Sequence, residues 1–223
     1  VNRVVHQAEA LAWLKEQGKL TDCSFITSLP DYSEFSQKTL ADWKLWFVDA
    51  AAQVMSSCPD DGVAIFYQTD IKHEGTWVDK AYLVQKAAER VGFEQLWHKI
   101  VCKAQAGKAT FGRPGYAHLL CFSKSLRAEV AKSVADVLPE AGEVTWTRGM
   151  GVYACALACR FILSHTHTRT VVDPFCGHGT ALAVANELGL HAIGVELGGK
   201  RAEKARALKS VGLKLEFPGA SNE

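Results

Sequence analysis

One stretch constrains this chain more than any other: Val171-Val172-Asp173-Pro174-Phe175-Cys176-Gly177-His178-Gly179-Thr180. An apolar run from Arg169 to Asp173 reads as a buried strand, breaks at Pro174, passes two glycines and enters an alanine-rich helix over Ala181 to Leu188. Glycine lets a backbone turn tightly and approach a ligand closely. The helix start that follows offers free N–H groups and the positive end of a dipole. A second strand, His191 to Val195, ends on Glu196, and an acid at that place suits the two hydroxyls of a ribose. The stretch therefore reads as a nucleoside-binding element, against the plainer alternative of a glycine-rich turn that only packs.

The string Asp173 to Thr180 resembles the D-P-F-x-G-x-G-T form of motif I in S-adenosylmethionine-dependent methyltransferases, particularly those that methylate amino groups of nucleic-acid bases. It is not the dinucleotide fingerprint, since only Gly177 and Gly179 have that spacing. The resemblance implies that S-adenosyl-L-methionine is the cofactor. Gly177 and Gly179 would admit its backbone in the turn made by Pro174 and Phe175. Glu196 would hold the ribose, while Asp173 and Thr180 orient the amino-acid end. Thr145 to Met150, before an apolar helix over Val152 to Ser164, resembles motif X. There Arg148 either meets the cofactor carboxylate or forms a structural salt bridge. Gln7 or Glu9, after a short first strand, would border the adenine.

A strand over Asp22 to Thr27 runs into Ser28-Leu29-Pro30-Asp31-Tyr32. This resembles motif IV, [D/N/S]-P-P-[Y/F/W], whose polar side chain and following carbonyl accept hydrogen bonds from the target amine and whose ring stacks on a flipped base. Ser28 and Pro30 match; Leu29 and Asp31 depart. Ser-Leu-Pro also resembles the N-L-P of tRNA guanine N1-methyltransferases, where a carboxylate removes a ring proton, so Asp31 is a candidate base. Tyr32 is the candidate replacement ring. Asp31 and Tyr32 equally suit an ordinary turn with Ser33.

The amphipathic segment Ser36 to Met55 reads as a helix, with Trp43 and Trp46 assigned to the core. Val63 to Gln68 reads as a central strand. Asp70 and Lys72 beyond it are candidate substrate contacts, or simply solvated. A polar loop containing Gly75 follows, then a helix over Val78 to Val91. Phe93 to Lys103 and Tyr116 to Ser123 read as antiparallel strands. Between them Lys108, Phe111 and Arg113 suit contacts to phosphates and bases, with a plain flexible loop as the alternative. Residues 125–150 read as a helix and a connection, Gly198 to Ser210 as a basic helix, Leu213 to Phe217 as a strand or tail, and Pro218 onward as frayed.

The net charge of +1 conceals an uneven distribution. Residues 1–71 hold 5 Lys/Arg against 10 Asp/Glu, 72–132 hold 11 against 5, and 133–223 hold 9 of each. A basic middle suits a polyanion, as do ordinary solvated helix faces. Seven scattered cysteines without a Cys-x-x-Cys pair suggest reduced thiols and a cytoplasmic or other intracellular setting, nucleus or organelle included. No cysteine has the Pro-Cys context of attack on pyrimidine carbon 5, no metal is called for, and neither a signal peptide nor a membrane span is expected.

Motif IV thus precedes motifs X and I. This order resembles the circularly permuted beta group of amino-methyltransferases, and the resemblance covers nearly the whole chain. It implies an α/β Rossmann-like methyltransferase fold over residues 1–223. The expected sheet is seven-stranded and mostly parallel, with one antiparallel edge strand. Residues 1–132 would form the catalytic half and 133–223 the cofactor half. No inserted site-reading domain stands between them, which favours RNA (tRNA or rRNA) over DNA, with a partner protein as a further source of recognition. A small-molecule N-methyltransferase and a non-catalytic cofactor-binding subunit are the rival readings.

Overall fold

The computed structural model of the chain describes residues 1–127, 134–209 and 215. Its elements in chain order are β1 (Arg3–Gln7), α1 (Ala10–Gln17), β2 (Cys23–Thr27), a 3-10 turn (Tyr32–Glu34), α2 (Leu40–Ser57), β3 (Ala64–Gln68), β4 (Ile71–His73), β5 (Thr76–Val78), α3 (Lys80–Val91), β6 (Glu94–Cys102), β7 (Tyr116–Ser123), β8 (Val137–Leu138), α4 (Val152–His165), β9 (Thr170–Asp173), α5 (Thr180–Glu187), β10 (His191–Glu196) and α6 (Gly199–Ala207). Eight strands form one sheet in the order β1-β10-β9-β2-β3-β7-β6-β8.

All neighbours are parallel except where β7 runs against β3 and β6. The expected seven strands become eight because the short β8 pairs with β6, and the antiparallel strand lies inside the sheet rather than at its edge. Apolar content alone does not distinguish an interior from an edge strand, so the position of β7 had no local signal. The stretch read as a polar loop around Gly75 folds back as the β4–β5 hairpin. Within 134–150 the only regular element described is β8, not the expected helix; residues 128–133 lie outside the described residues. So does nearly all of the expected tail, Leu213 to Phe217, and everything after it.

Helices cover both faces, which is why the central strands are apolar on both sides. In β2, Phe25 joins the core beneath α1, α2 and α3, while Ile26 joins the core beneath α4, α5 and α6. In β9, Val172 and Val171 divide in the same way, as the two-residue period of a strand requires. Helix boundaries follow their caps. Thr39 accepts from the Asp42 N–H at the start of α2, Asp79 from the Tyr82 N–H at the start of α3, and Glu9 from two N–H groups at the start of α1. Gly92 ends α3 in the left-handed region.

The chain leaves β9 toward β10 on one side and β2 toward β3 on the other. The carboxyl ends of β9 and β2 therefore flank the crevice where open α/β sheets bind ligands. Thr27 Oγ1 donates to Asp173 Oδ1 at 2.7 Å and ties the two strand ends together.

Candidate functional site

Two clefts open at this end of the sheet and share Ser28, Leu29, Glu34, Arg148 and Gly149. The larger, about 360 Å³, has mainly apolar walls, including Ala10, Phe35, Trp46, Phe175 and Leu197. Its volume falls within the small-molecule range. The smaller, about 70 Å³, is lined by Asp31, Tyr67, Gln68, Thr69, Lys80, Lys103, Arg113 and Thr147 beside the shared residues.

In the larger cleft the turn after β9 is shaped by its own side chains and glycines. Asp173 Oδ1 accepts from the Phe175 N–H at 3.1 Å as well as from Thr27. Burial raises its carboxyl to about 7, against the lowering effect of those donors. Gly177 has φ +54° and a Cβ there would stand 2.5 Å from the Trp146 ring, so this turn requires glycine. Trp146 in turn stacks on His178 with centroids 4.5 Å apart. Glu196 accepts from the Gly177 and Gly198 N–H groups at 3.2 and 2.7 Å and meets Arg201 at 2.8 Å.

These contacts hold an acid at the end of β10, in a cleft also lined by Pro174, Thr180 and Glu9. Gly179 lines neither cleft; its αL backbone caps α5 and packs against Ala205 of α6. What its position shows is close packing of α5 against α6. Arg148 lines both clefts and pairs with Glu34 at 3.2 Å, the structural salt bridge that the sequence left as an alternative. Trp43 is core as expected, but Trp46 lines the larger cleft.

The loop after β2 is pinned on several sides. Glu34 Oε1 accepts from the Asp31 N–H at 3.0 Å, and Trp43 Nε1 donates to the Pro30 carbonyl at 3.4 Å. The Asp31 carboxylate faces Lys80 Nζ at 3.4 Å and Arg113 at 3.8 Å. Lys80 is only 3% exposed, and burial lowers its pKa although Asp31 pulls the other way. Ser28, Leu29 and Pro30 all face the larger cleft, and Ser28, Leu29 and Asp31 face the smaller.

Several expected contacts lie elsewhere. Tyr32 packs edge-on against His73 and Trp43 and lines neither cleft. Asp70 is buried. It accepts from the Lys80 N–H and Trp77 Nε1 and bonds His118, and these partners lower its pKa against the opposing effect of burial. Asp70 therefore holds the start of α3 and not a substrate. Its carboxylate, with Asp79 and His118, forms a grouping of metal-ligand type among the described residues; the bond to His118 already accounts for it. Lys72 lies over the Trp77 ring. Lys108 and the fully exposed Phe111 stand away from both clefts, and of the loop candidates only Arg113 reaches one.

Sequence reasoning missed Lys80, Lys103, Gln68, Glu34 and Trp146. Only Trp146, within the stretch likened to motif X, had a local signal.

The comparisons with known proteins agree with this architecture. A family model described as DNA methylase, N6_N4_Mtase, matches residues 151–207. No curated protein matches the chain. Among solved structures, a candidate DNA modification methylase of Thermus thermophilus, complexed with S-adenosyl-L-methionine, superposes with a TM-score of 0.68 at 18% identity, covering 96% of this chain and 98% of that one. The M1.HpyAVI complex with the same cofactor gives 0.59 at 16% identity, covering 92% and 98%. The PvuII DNA methyltransferase, titled cytosine-N4-specific, gives 0.69 at 16% identity, covering 95% and 88%.

The fold is thus the Rossmann-like methyltransferase fold expected from the motifs. The preference for RNA finds no support, since the matched descriptions name DNA. Among the described residues no helix is long and apolar enough to cross a membrane.

Proposed function

We propose that this chain is an S-adenosyl-L-methionine-dependent methyltransferase acting on an exocyclic amine of a DNA base. The observation that carries the reading is the arrangement of the two clefts. A nucleoside-sized cleft ending on Glu196 meets a smaller polar cleft at Ser28 and Leu29, so a methyl donor and an amine acceptor can lie on either side of one loop.

The residues of the larger cleft suit the cofactor. Glu196 offers a buried carboxylate to ribose hydroxyls, and Phe175, Leu197 and Ala10 offer apolar walls to a base. Asp173 and Thr180 stand toward the amino-acid end. The cofactor supplies an electrophilic methyl on a sulfonium. The protein's task is then to align the amine in line with that methyl and to receive a proton. Ser28 and Leu29 hold the amine at the junction, and Asp31 accepts the proton.

Salt bridges to Lys80 and Arg113 keep Asp31 in place. Around it, Lys103, Arg113 and Arg148 give the cleft mouth a positive lining suited to a phosphate backbone. A partner protein is a further source of site recognition in this reading.

Labelled S-adenosyl-L-methionine incubated with DNA, RNA and a small-metabolite extract tests this directly. Label should enter DNA and fall away in Asp31→Ala. Label confined to metabolites would replace the reading by a small-molecule enzyme, and cofactor binding without transfer to any pool would contradict it.

A further inference from the structure

Resting on the reading of the smaller cleft as the acceptor pocket, we propose that the base it selects is guanine, methylated on its N2 amine, with Asp31, Lys80 and Gln68 reading the Watson–Crick edge. The cleft has an unusual composition for a base pocket. Apart from Leu29, Tyr67 and Gly149 its lining is polar or charged, so a flipped base is held there by its edge more than by stacking. Three groups define what that edge must carry.

The first is the Asp31 carboxylate, an acceptor. It accepts from the Glu34 N–H in the turn, and its cationic neighbours at 3.4 and 3.8 Å are beyond the short distances of strong charge-assisted bonds, so the remaining lone pairs face a ligand. The second is Lys80 Nζ, nearly sealed from solvent, with three donors that among the described residues meet Asp31 at 3.4 Å and lie over the Trp43 ring. The third is Gln68 at the end of β3, 1% exposed, whose Nε2 has no hydrogen-bond partner among the described residues. A buried donor without a partner is rare in folded proteins and marks a place where a ligand atom completes the bond. One cleft therefore presents a carboxylate flanked by ammonium and amide donors.

Among the common bases with an exocyclic amine, guanine alone matches that order. Its N1–H and one N2–H are parallel donors for the two carboxylate oxygens, and its O6 accepts from Lys80 or Gln68. Adenine would set N1, and cytosine N3, both acceptors, against the carboxylate, and unpaired or repelling polar groups are what discriminate strongly between substrates. In the transfer, the N2 lone pair forms the N–CH3 bond while the S–CH3 bond breaks and its electron pair returns to sulfur. The proton released from N2 passes to Asp31.

The test is nucleoside mass spectrometry of mixed-sequence DNA and RNA after incubation with the protein and S-adenosyl-L-methionine. N2-methylguanine is expected, and DNA with hypoxanthine in place of guanine, which lacks only the N2 amine, should gain none. Asp31→Asn and, independently, Gln68→Leu should each lower guanine methylation roughly ten- to hundredfold with cofactor binding unchanged by calorimetry. Methyl on adenine N6 or cytosine N4 would overturn the guanine assignment and leave the methyltransferase reading intact. Cofactor binding with no methylated base in either polymer would overturn both.

Discussion

The two clefts differ in how they are built. The larger draws its defining residues from one continuous strand-turn-helix-strand run, Asp173 to Glu196, and its walls are largely apolar. The smaller collects polar and charged groups from six places: the loop and turn after β2, the end of β3, the first residue of α3, Lys103 just after β6, Arg113 before β7, and the stretch 147–149 before α4. A site made by neighbours in sequence is fixed by local geometry. A site made by distant elements depends on every contact that brings them together, and it can change its chemistry by single substitutions without disturbing the first.

The sharpest way to break this separation is at Gly177. A Gly177→Val side chain meets Trp146 and cannot take the positive φ. It should abolish measurable cofactor binding in calorimetry and lower stability by about 1–3 kcal/mol. Retention of wild-type affinity would show that the turn is not part of the cofactor site.

The opposite cleft is probed by Lys80→Met, which keeps the apolar stem but removes the nearer of the two cationic partners of Asp31. Transfer should fall roughly ten- to hundredfold, in the range of a lost bidentate or charged contact, while cofactor affinity stays within about twofold. A parallel loss of both would merge the two clefts into one energetic unit.

A smaller effect concerns pH. The Asp173 carboxyl is raised by burial to about 7, whereas an unfolded aspartate titrates near about 3.9. Below that lower value both states carry the proton. Between the two values the folded state keeps a proton that the unfolded state has lost, so stability falls as pH rises through this window. Urea unfolding at pH 5 and pH 8 should show that decline in the wild type and a weaker one in Asp173→Asn. The same slope in both proteins would contradict the assignment.

The least effect is expected from the loop between β6 and β7. Because Phe111 is fully exposed, Phe111→Ala should change stability by less than about 0.5 kcal/mol. Lys108→Ala should lower the salt slope of DNA binding by about 1 only if that lysine meets a phosphate.

What could be read in the sequence follows the same division. Strand-to-turn chemistry around Pro174, Gly177 and Glu196 and the permuted motif order led to the fold and to the larger cleft. Apolar runs located most strands and helices within a few residues. The pairing of β8 and the interior place of β7 were not legible, because pairing partners leave no mark in a local pattern. Lys80 and Gln68 read as ordinary helix-start and strand-end residues; only the packing of α3 against the sheet buries them beside Asp31. Conversely, Asp70 and Tyr32 looked available because their partners, His118 and His73, are supplied by other elements.

The most direct test of the two-cleft account is calorimetric titration of S-adenosyl-L-methionine into the wild type, Glu196→Ala and Asp31→Ala. The account predicts binding to the wild type, a loss on the order of a hundredfold in Glu196→Ala from charged hydrogen bonds to the ribose, and affinity within about twofold in Asp31→Ala. Equal affinity in the wild type and Glu196→Ala, or no binding to the wild type at all, would contradict it.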